Sequence, residues 1–211
     1  MGKDRGPMSG ASWELSEGDD LVTIRTPAVR VALRRDSDRW VHELGPADGP
    51  SWLASVEDSA DSGDPARIVS PVYQEVHHHS FDDDDRRVRL LLSGHLHKHY
   101  FSAVLTVEVG DDGATVIDFD VADRCRDQVA RLAATYEVRL GEPETAGPRA
   151  ASWPLGDAVL ALAAGDGANL TTAAEGSRPA RVEVVANLNP GEYTHRLRYR
   201  WTWATRSGRA R

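Results

Sequence analysis

Apolar and polar residues alternate along most of this chain with the period of two that a strand burying one face requires. The pattern is plainest across residues 105–121. Leu105, Val107 and Val109 share one parity, with Thr106 and Glu108 on the other. Gly110-Asp111-Asp112-Gly113 then supplies residues able to take positive φ, after which Thr115, Ile117, Phe119 and Val121 alternate with Asp118 and Asp120. This predicts an antiparallel hairpin with one buried face. Near the end of the chain, Tyr193, His195, Leu197, Tyr199, Trp201 and Trp203 lie on one side of a predicted strand, with Arg196, Arg198 and Arg200 on the other.

Shorter alternations fill the rest. Residues 21–26 form one. Val29, Val31 and Leu33 oppose Arg30 and Arg34, and after a turn at Asp36-Ser37-Asp38 come Trp40, His42 and Leu44 on one face. Residues 46–65 read as a long polar connection, packed through Trp52 and Leu53. Residues 68–81 read as a strand ending in His77-His78-His79, residues 82–85 as a four-aspartate hairpin tip, and residues 86–92 as the returning strand. The spacing of calcium loops, alternate ligands with a glycine at the bend, is missing from the aspartate run. Residues 130–140 predict one long strand and residues 141–152 a loop. Residues 159–164 fit a strand or a short helix, and residues 182–188 a further strand. Without any βα alternation, this predicts an all-β fold, an antiparallel β-sandwich. One domain is expected over residues 20–204, with a flexible arm at 1–19 whose Trp13 can pin it to the body, and a basic tail at 205–211.

Composition narrows the function. A chain of 211 residues buries one sizeable core. The single cysteine, Cys125, excludes an internal disulfide framework. The first residues lack the apolar run of a secretory leader, and no stretch approaches the ~20 apolar residues that span a bilayer, so a cytoplasmic, membrane-free protein is expected. A net charge of −8 argues against nucleic acid as a partner. Lysine occurs only at Lys3 and Lys98, so nearly every cation is a guanidinium, suited to gripping carboxylate or phosphate.

The most pointed chemistry is His95-Leu96-His97-Lys98-His99. On a regular strand the three imidazoles share a face, with the outer two ~13 Å apart, too far to ligate one ion together. An H-x-H pair on a strand can hold Zn²⁺. The row therefore reads as a metal centre, the wall of a polar substrate cleft, or the end of a packed or solvated face. Cupins also place H-x-H on a strand, but their motif continues with a glutamate a few residues on, and here no carboxylate precedes Glu108. Arg196, Arg198 and Arg200 make a stripe fit for a sugar acid, a phosphorylated sugar or an acidic partner, or for salt bridges to Glu183 or Glu137. The Tyr/Trp stripe opposite is core or a sugar-stacking platform. Cys125 lies between Arg124 and Arg126 without a placed base, which is poor equipment for a nucleophile.

Residues 21–44, with Arg30-Val31-Ala32-Leu33, a turn and Trp40-Val41-His42-Glu43-Leu44, resemble the opening of galactose mutarotase-like proteins. Residues 101–121, a strand, the Gly-Asp-Asp-Gly turn and a second strand, are similar to the middle of that fold. The resemblance implies a β-supersandwich with a sugar-facing concave sheet. For enzymes of the group it implies aldose epimerisation without a cofactor, a carboxylate taking the anomeric proton and an imidazole protonating the ring oxygen. Lys98-His99-Tyr100-Phe101 echoes the Asn-His-x-Tyr/Phe setting of that imidazole, and Glu108, Glu137 and Glu183 stay open as the base. The leading expectation is thus a protein that binds a small carbohydrate or sugar derivative, with neither metal nor cofactor. His97 and His99 are its candidate catalytic groups, and His95, Arg139, Arg198 and Arg200 its candidate substrate-binding groups. A metal-dependent enzyme using the histidines, and a non-catalytic module docking an acidic partner through the arginine stripe, stand as alternatives.

Overall fold

The alternation folds as strands throughout. The computed structural model describes residues 12–57, 64–80, 83–172 and 180–206, and among them there is no α-helix. In chain order the strands are β1 (Glu14–Glu17), β2 (Leu21–Arg25), β3 (Val29–Asp36), β4 (Arg39–Pro46), β5 (Leu53–Val56), β6 (Arg67–Ile68), β7 (Glu75–His78), β8 (Arg87–Leu96) and β9 (His99–Val109). They continue as β10 (Thr115–Arg124), β11 (Arg131–Val138), β12 (Thr145–Ala146), β13 (Ala150–Leu155), β14 (Ala158–Ala164), β15 (Ala168–Thr172), β16 (Ala180–Ala186) and β17 (Thr194–Thr205). One sheet runs β1-β2-β3-β4-β5-β11-β16-β15, with the short β6 parallel to β11. The other runs β12-β13-β14-β17-β10-β9-β8-β7. All other pairings are antiparallel and neither sheet closes on itself, so the protein is a β-sandwich.

The predicted hairpin is the spine of the second sheet. Val109 pairs with Thr115, Gly110 N–H donates to the Ala114 carbonyl at 2.8 Å, and Gly113 takes φ 78°, a value that suits glycine. The strand predicted near the C-terminus is β17, which adds to the other side of β10 with Asp118 opposite Arg200 and Phe119 opposite Tyr199.

Several expectations need correction. The arm assigned to residues 1–19 contains β1, paired along β2, so the ordered body starts before Asp20; residues 1–11 lie outside the described residues. Trp13 does pin this end, its indole N–H donating to the Asp84 carbonyl at 2.8 Å. The connection at 46–65 contains β5, although 58–63 lie outside the described residues. Residues 68–81 are not one strand, since β6 and β7 are separated by irregular backbone; residues 81–82 are outside the description. The loop drawn at 141–152 holds β12 and the start of β13, where Pro154 disguises the inward pair Ala151 and Trp153. The ambiguous 159–164 run is strand β14. Of the basic tail, Thr205 belongs to β17, Arg206 pairs with Glu144 at 2.9 Å, and 207–211 lie outside the described residues. No helix among the described residues is long and apolar enough to cross a membrane.

Between the sheets the inward side chains form one core. Phe119 stacks on Tyr199 with centroids 4.8 Å apart, and Trp153, Trp201 and Tyr136 meet at 5.8 and 5.3 Å. Tyr199 and Trp201 of the predicted aromatic stripe are therefore interior and Trp203 is partly buried, whereas Tyr193, expected on the same face, precedes β17 and is exposed. A polar chain crosses this core: Tyr136 Oη donates to Tyr199 Oη at 2.7 Å, and His42 Nε2 bonds Tyr136 Oη at 2.8 Å. Because burial pushes His42 down to about 4, the ring is neutral near pH 7, and with the Tyr136 proton committed to Tyr199 it is His42 Nε2–H that donates. Burial likewise holds both phenols well above their ordinary value. Tyr136→Phe leaves a buried donor on one side and an acceptor on the other. It is expected to cost about 1–3 kcal/mol in denaturant unfolding; an unmoved midpoint would show that the chain contributes nothing to stability.

Candidate functional site

Where β8 turns into β9, the histidine row is broken. His97 and Lys98 are the central residues of a tight hairpin turn, and His97 takes φ 55°, positive at the first central position as in a type II′ turn. Leu96 therefore pairs with His99, and His95 with Tyr100. Directly opposed residues share a face, so the turn sends His95 and His99 to opposite faces of the sheet. The expected single row does not exist.

The three candidate histidines meet three fates. His95 is exposed on the outer face, its ring stacked 6.2 Å from that of Tyr100. His97 is exposed in the turn. His99 is 2 % exposed and faces inward, with Nδ1 2.7 Å from Asp123 Oδ2 and Nε2 2.9 Å from the Pro65 carbonyl. Burial acts to push His99 down, but the hydrogen bond and charge of Asp123, with the Pro65 carbonyl and Asp127, carry it above its ordinary value. A ring whose two nitrogens both face acceptors is a structural imidazolium. It has no nitrogen left for a substrate, which removes His99 as a catalytic group and separates it from His97. Among the described residues, no three His, Cys, Asp or Glu side chains are grouped to hold a metal ion.

The candidate arginines are also dispersed. Arg139 follows β11 in the other sheet, its guanidinium donating to the Ser51 carbonyl at 3.4 Å. Arg198 and Arg200 share the outer face of the second sheet with His95, but they are engaged. Arg200 grips both oxygens of Asp118 at 2.7 and 3.0 Å, Arg196 both oxygens of Asp120 at 3.0 and 2.9 Å, and Arg198 reaches Asp120 at 3.1 Å. Salt bridging was expected for this stripe, with different partners. Glu183 and Glu137 pair instead with Arg131 and Arg181 in the first sheet.

What the turn does assemble is a different group. Lys98 Nζ reaches Asp127 Oδ2 at 2.7 Å, drawing the turn against the segment that follows β10. That contact holds the Lys98 ammonium above its ordinary value. Arg124, opposite Tyr100 in the register, projects from the outer face at the end of β10, and Arg126 follows two residues later. Lys98, Tyr100, Arg124 and Arg126 line an open pocket of about 500 Å³. Tyr100 is 62 % exposed, and neither Arg124 nor Arg126 forms an ion pair among the described residues. Between them Cys125 is buried, and burial pushes its thiol up, the opposite of what a nucleophile needs.

Sequence reasoning passed over Tyr100, Arg124 and Arg126 as a site. One signal was present: the inward parity is even at Leu90 and Leu92 but odd at Phe101, Ala103 and Leu105, and only a turn of even length between them allows that. Comparison with family models and with curated proteins finds no match to this chain.

Proposed function

We propose that this β-sandwich binds an anionic sugar, a sugar acid or a sugar phosphate, in the pocket of Lys98, Tyr100, Arg124 and Arg126. The observation that carries the reading is the pairing of an exposed tyrosine ring with two guanidinium groups that no carboxylate occupies among the described residues, in a protein whose net charge is −8. An amphipathic ring offers its face to the apolar side of a pyranose, and unpaired guanidinium groups offer forked donors to carboxylate or phosphate. His95, stacked behind Tyr100, stiffens the platform, and His97 stands in the adjoining turn. Binding is the function this geometry supports. Of the two candidate catalytic imidazoles, His99 is closed by Asp123 and the Pro65 carbonyl, while His97 stays exposed in the turn without a carboxylate base placed beside it among the described residues, so binding rather than epimerisation is proposed.

Titration calorimetry with galacturonate, glucuronate and glucose 6-phosphate, with glucose as the neutral control, tests this. The acidic sugars should bind and glucose should not. Replacing Arg124 and Arg126 together by alanine removes charge-assisted hydrogen bonds worth about 1.5–3 kcal/mol each, so affinity should fall at least about tenfold. Tyr100→Ala should weaken binding less, and all three positions are exposed, so melting temperature should hardly move. No heat with any acidic sugar, or equal affinity in the variants, would sink the proposal.

A further inference from the structure

The pocket at Tyr100 is followed along the outer face of the second sheet by two further hollows. Two residues back along β9 and β10, Ser102 and Ala122 floor a second hollow of about 420 Å³, bounded by His77, Leu91, Val104 and Arg196. Asp120 is shared between that hollow and a third of about 380 Å³, which reaches Asp118, Ala163, Arg198 and Arg200. From Arg124 to Asp118 is six residues of one strand, about 20 Å of groove. Six cations, Lys98, Arg124, Arg126, Arg196, Arg198 and Arg200, line the three hollows; Asp118 and Asp120 lie among them, Asp127 holds Lys98 at one end, and Glu75 accepts from Ser93 at 2.9 Å.

We infer that this groove takes an acidic polysaccharide, a chain of uronate units, with one unit held at Tyr100 and the rest along β10 and β17. The inference rests on the anionic-sugar reading of the Tyr100 pocket and extends it along the sheet. The cations recur along the groove rather than converging on one point, as a ligand with repeated charges requires. Its floor alternates small hydroxyl and aliphatic side chains, Ser93, Ser102, Leu91, Val104 and Ala122, a surface that admits a ribbon of sugar rings. The same floor carries no series of exposed aromatic rings on which successive bases would stack, and the whole molecule is anionic, so nucleic acid fits it less well. Arg196, Arg198 and Arg200 are paired with Asp118 and Asp120 through part of their donor sets only, since three guanidinium groups share two carboxylates.

The test is a length series measured on the full chain: galacturonate monomer, its tetramer and polygalacturonate, with double-stranded DNA of mixed sequence alongside. Neighbouring subsites act as linked sites, so the tetramer should bind at least about tenfold more tightly than the monomer. In Arg200→Ala, at the far end from Tyr100, the ratio of tetramer to monomer affinity should fall severalfold, and in a variant lacking Arg124 and Arg126 both ligands should weaken together. A monomer that binds with no gain on lengthening would overturn the groove and leave the pocket standing. Failure of monomer and polymer alike would remove both proposals, and DNA binding more tightly than polygalacturonate would reassign the groove to nucleic acid.

Discussion

Asp123→Ala is expected to destabilise this protein by about 3–5 kcal/mol, because it strips a buried imidazolium of its carboxylate. Asp123 is fully buried at the end of β10 and sits diagonally across from His99, whose ring also lies parallel to Phe101 at 5.9 Å. The other nitrogen of His99 ties β9 to the Pro65 carbonyl, so the pair fixes the edge of the long connection as well as the end of the hairpin. The same pair makes stability depend on pH in a defined direction. His99 in the folded protein lies above its ordinary value of 6.5, so between that value and the folded one the native state holds a proton the unfolded chain has released. Its contribution is whole below the unfolded value and is lost as pH rises through the folded one. Urea midpoints measured from about pH 6 to about pH 9 should fall in the native protein, more steeply than in Asp123→Asn, where the charge is gone. Parallel slopes in the two proteins would mean that His99 carries no linked proton.

Most of the architecture was readable because burial on one face writes itself into sequence with period two. The β9–β10 hairpin and β17 follow directly, since every inward position from Phe101 to Val109 and from His195 to Trp201 is apolar, aromatic or an imidazole. What failed was context that period alone does not carry. Thr135 on β11 is buried on the outward side because the segment at 66–70 covers it, with Thr135 N–H donating to Ser70 Oγ at 3.0 Å. The histidine row departs from its expected geometry for a related reason: the alternation in sequence spans a point where the chain reverses, so it is not alternation on one strand. Glycine and proline were no guide there, because the turn places His97 at positive φ, at a position where glycine is the usual residue. The arginine stripe was legible as an outward face, but the partners of its charges depend on which strand docks beside it, and β10 supplied Asp118 and Asp120.

Gly94→Ala should be nearly as damaging, at about 3 kcal/mol, and for a steric reason. Gly94 occupies an inward position of β8, in phase with Leu90, Leu92 and Leu96, where a side chain would normally join the core. Instead the backbone of Val72, Tyr73 and Gln74 crosses that spot. A Cβ on Gly94 would overlap the Val72 carbonyl oxygen and stand 2.8 Å from Gln74 N and 3.0 Å from Tyr73 Cα. All of these are backbone atoms, so no rotamer change relieves the contact. Nor is the strap free to retreat. Gln74 N–H donates to the Ser93 carbonyl at 2.8 Å, and the Tyr73 carbonyl accepts from Trp40 N–H at 2.7 Å, which joins β8 of one sheet to β4 of the other. Relief must come from bending β8, and β8 carries His95 into its stack on Tyr100. Melting temperature and galacturonate affinity should therefore drop together in Gly94→Ala, whereas Tyr100→Ala lowers the affinity alone. A Gly94→Ala protein that melts with the native one would mean that the 72–74 strap yields without cost.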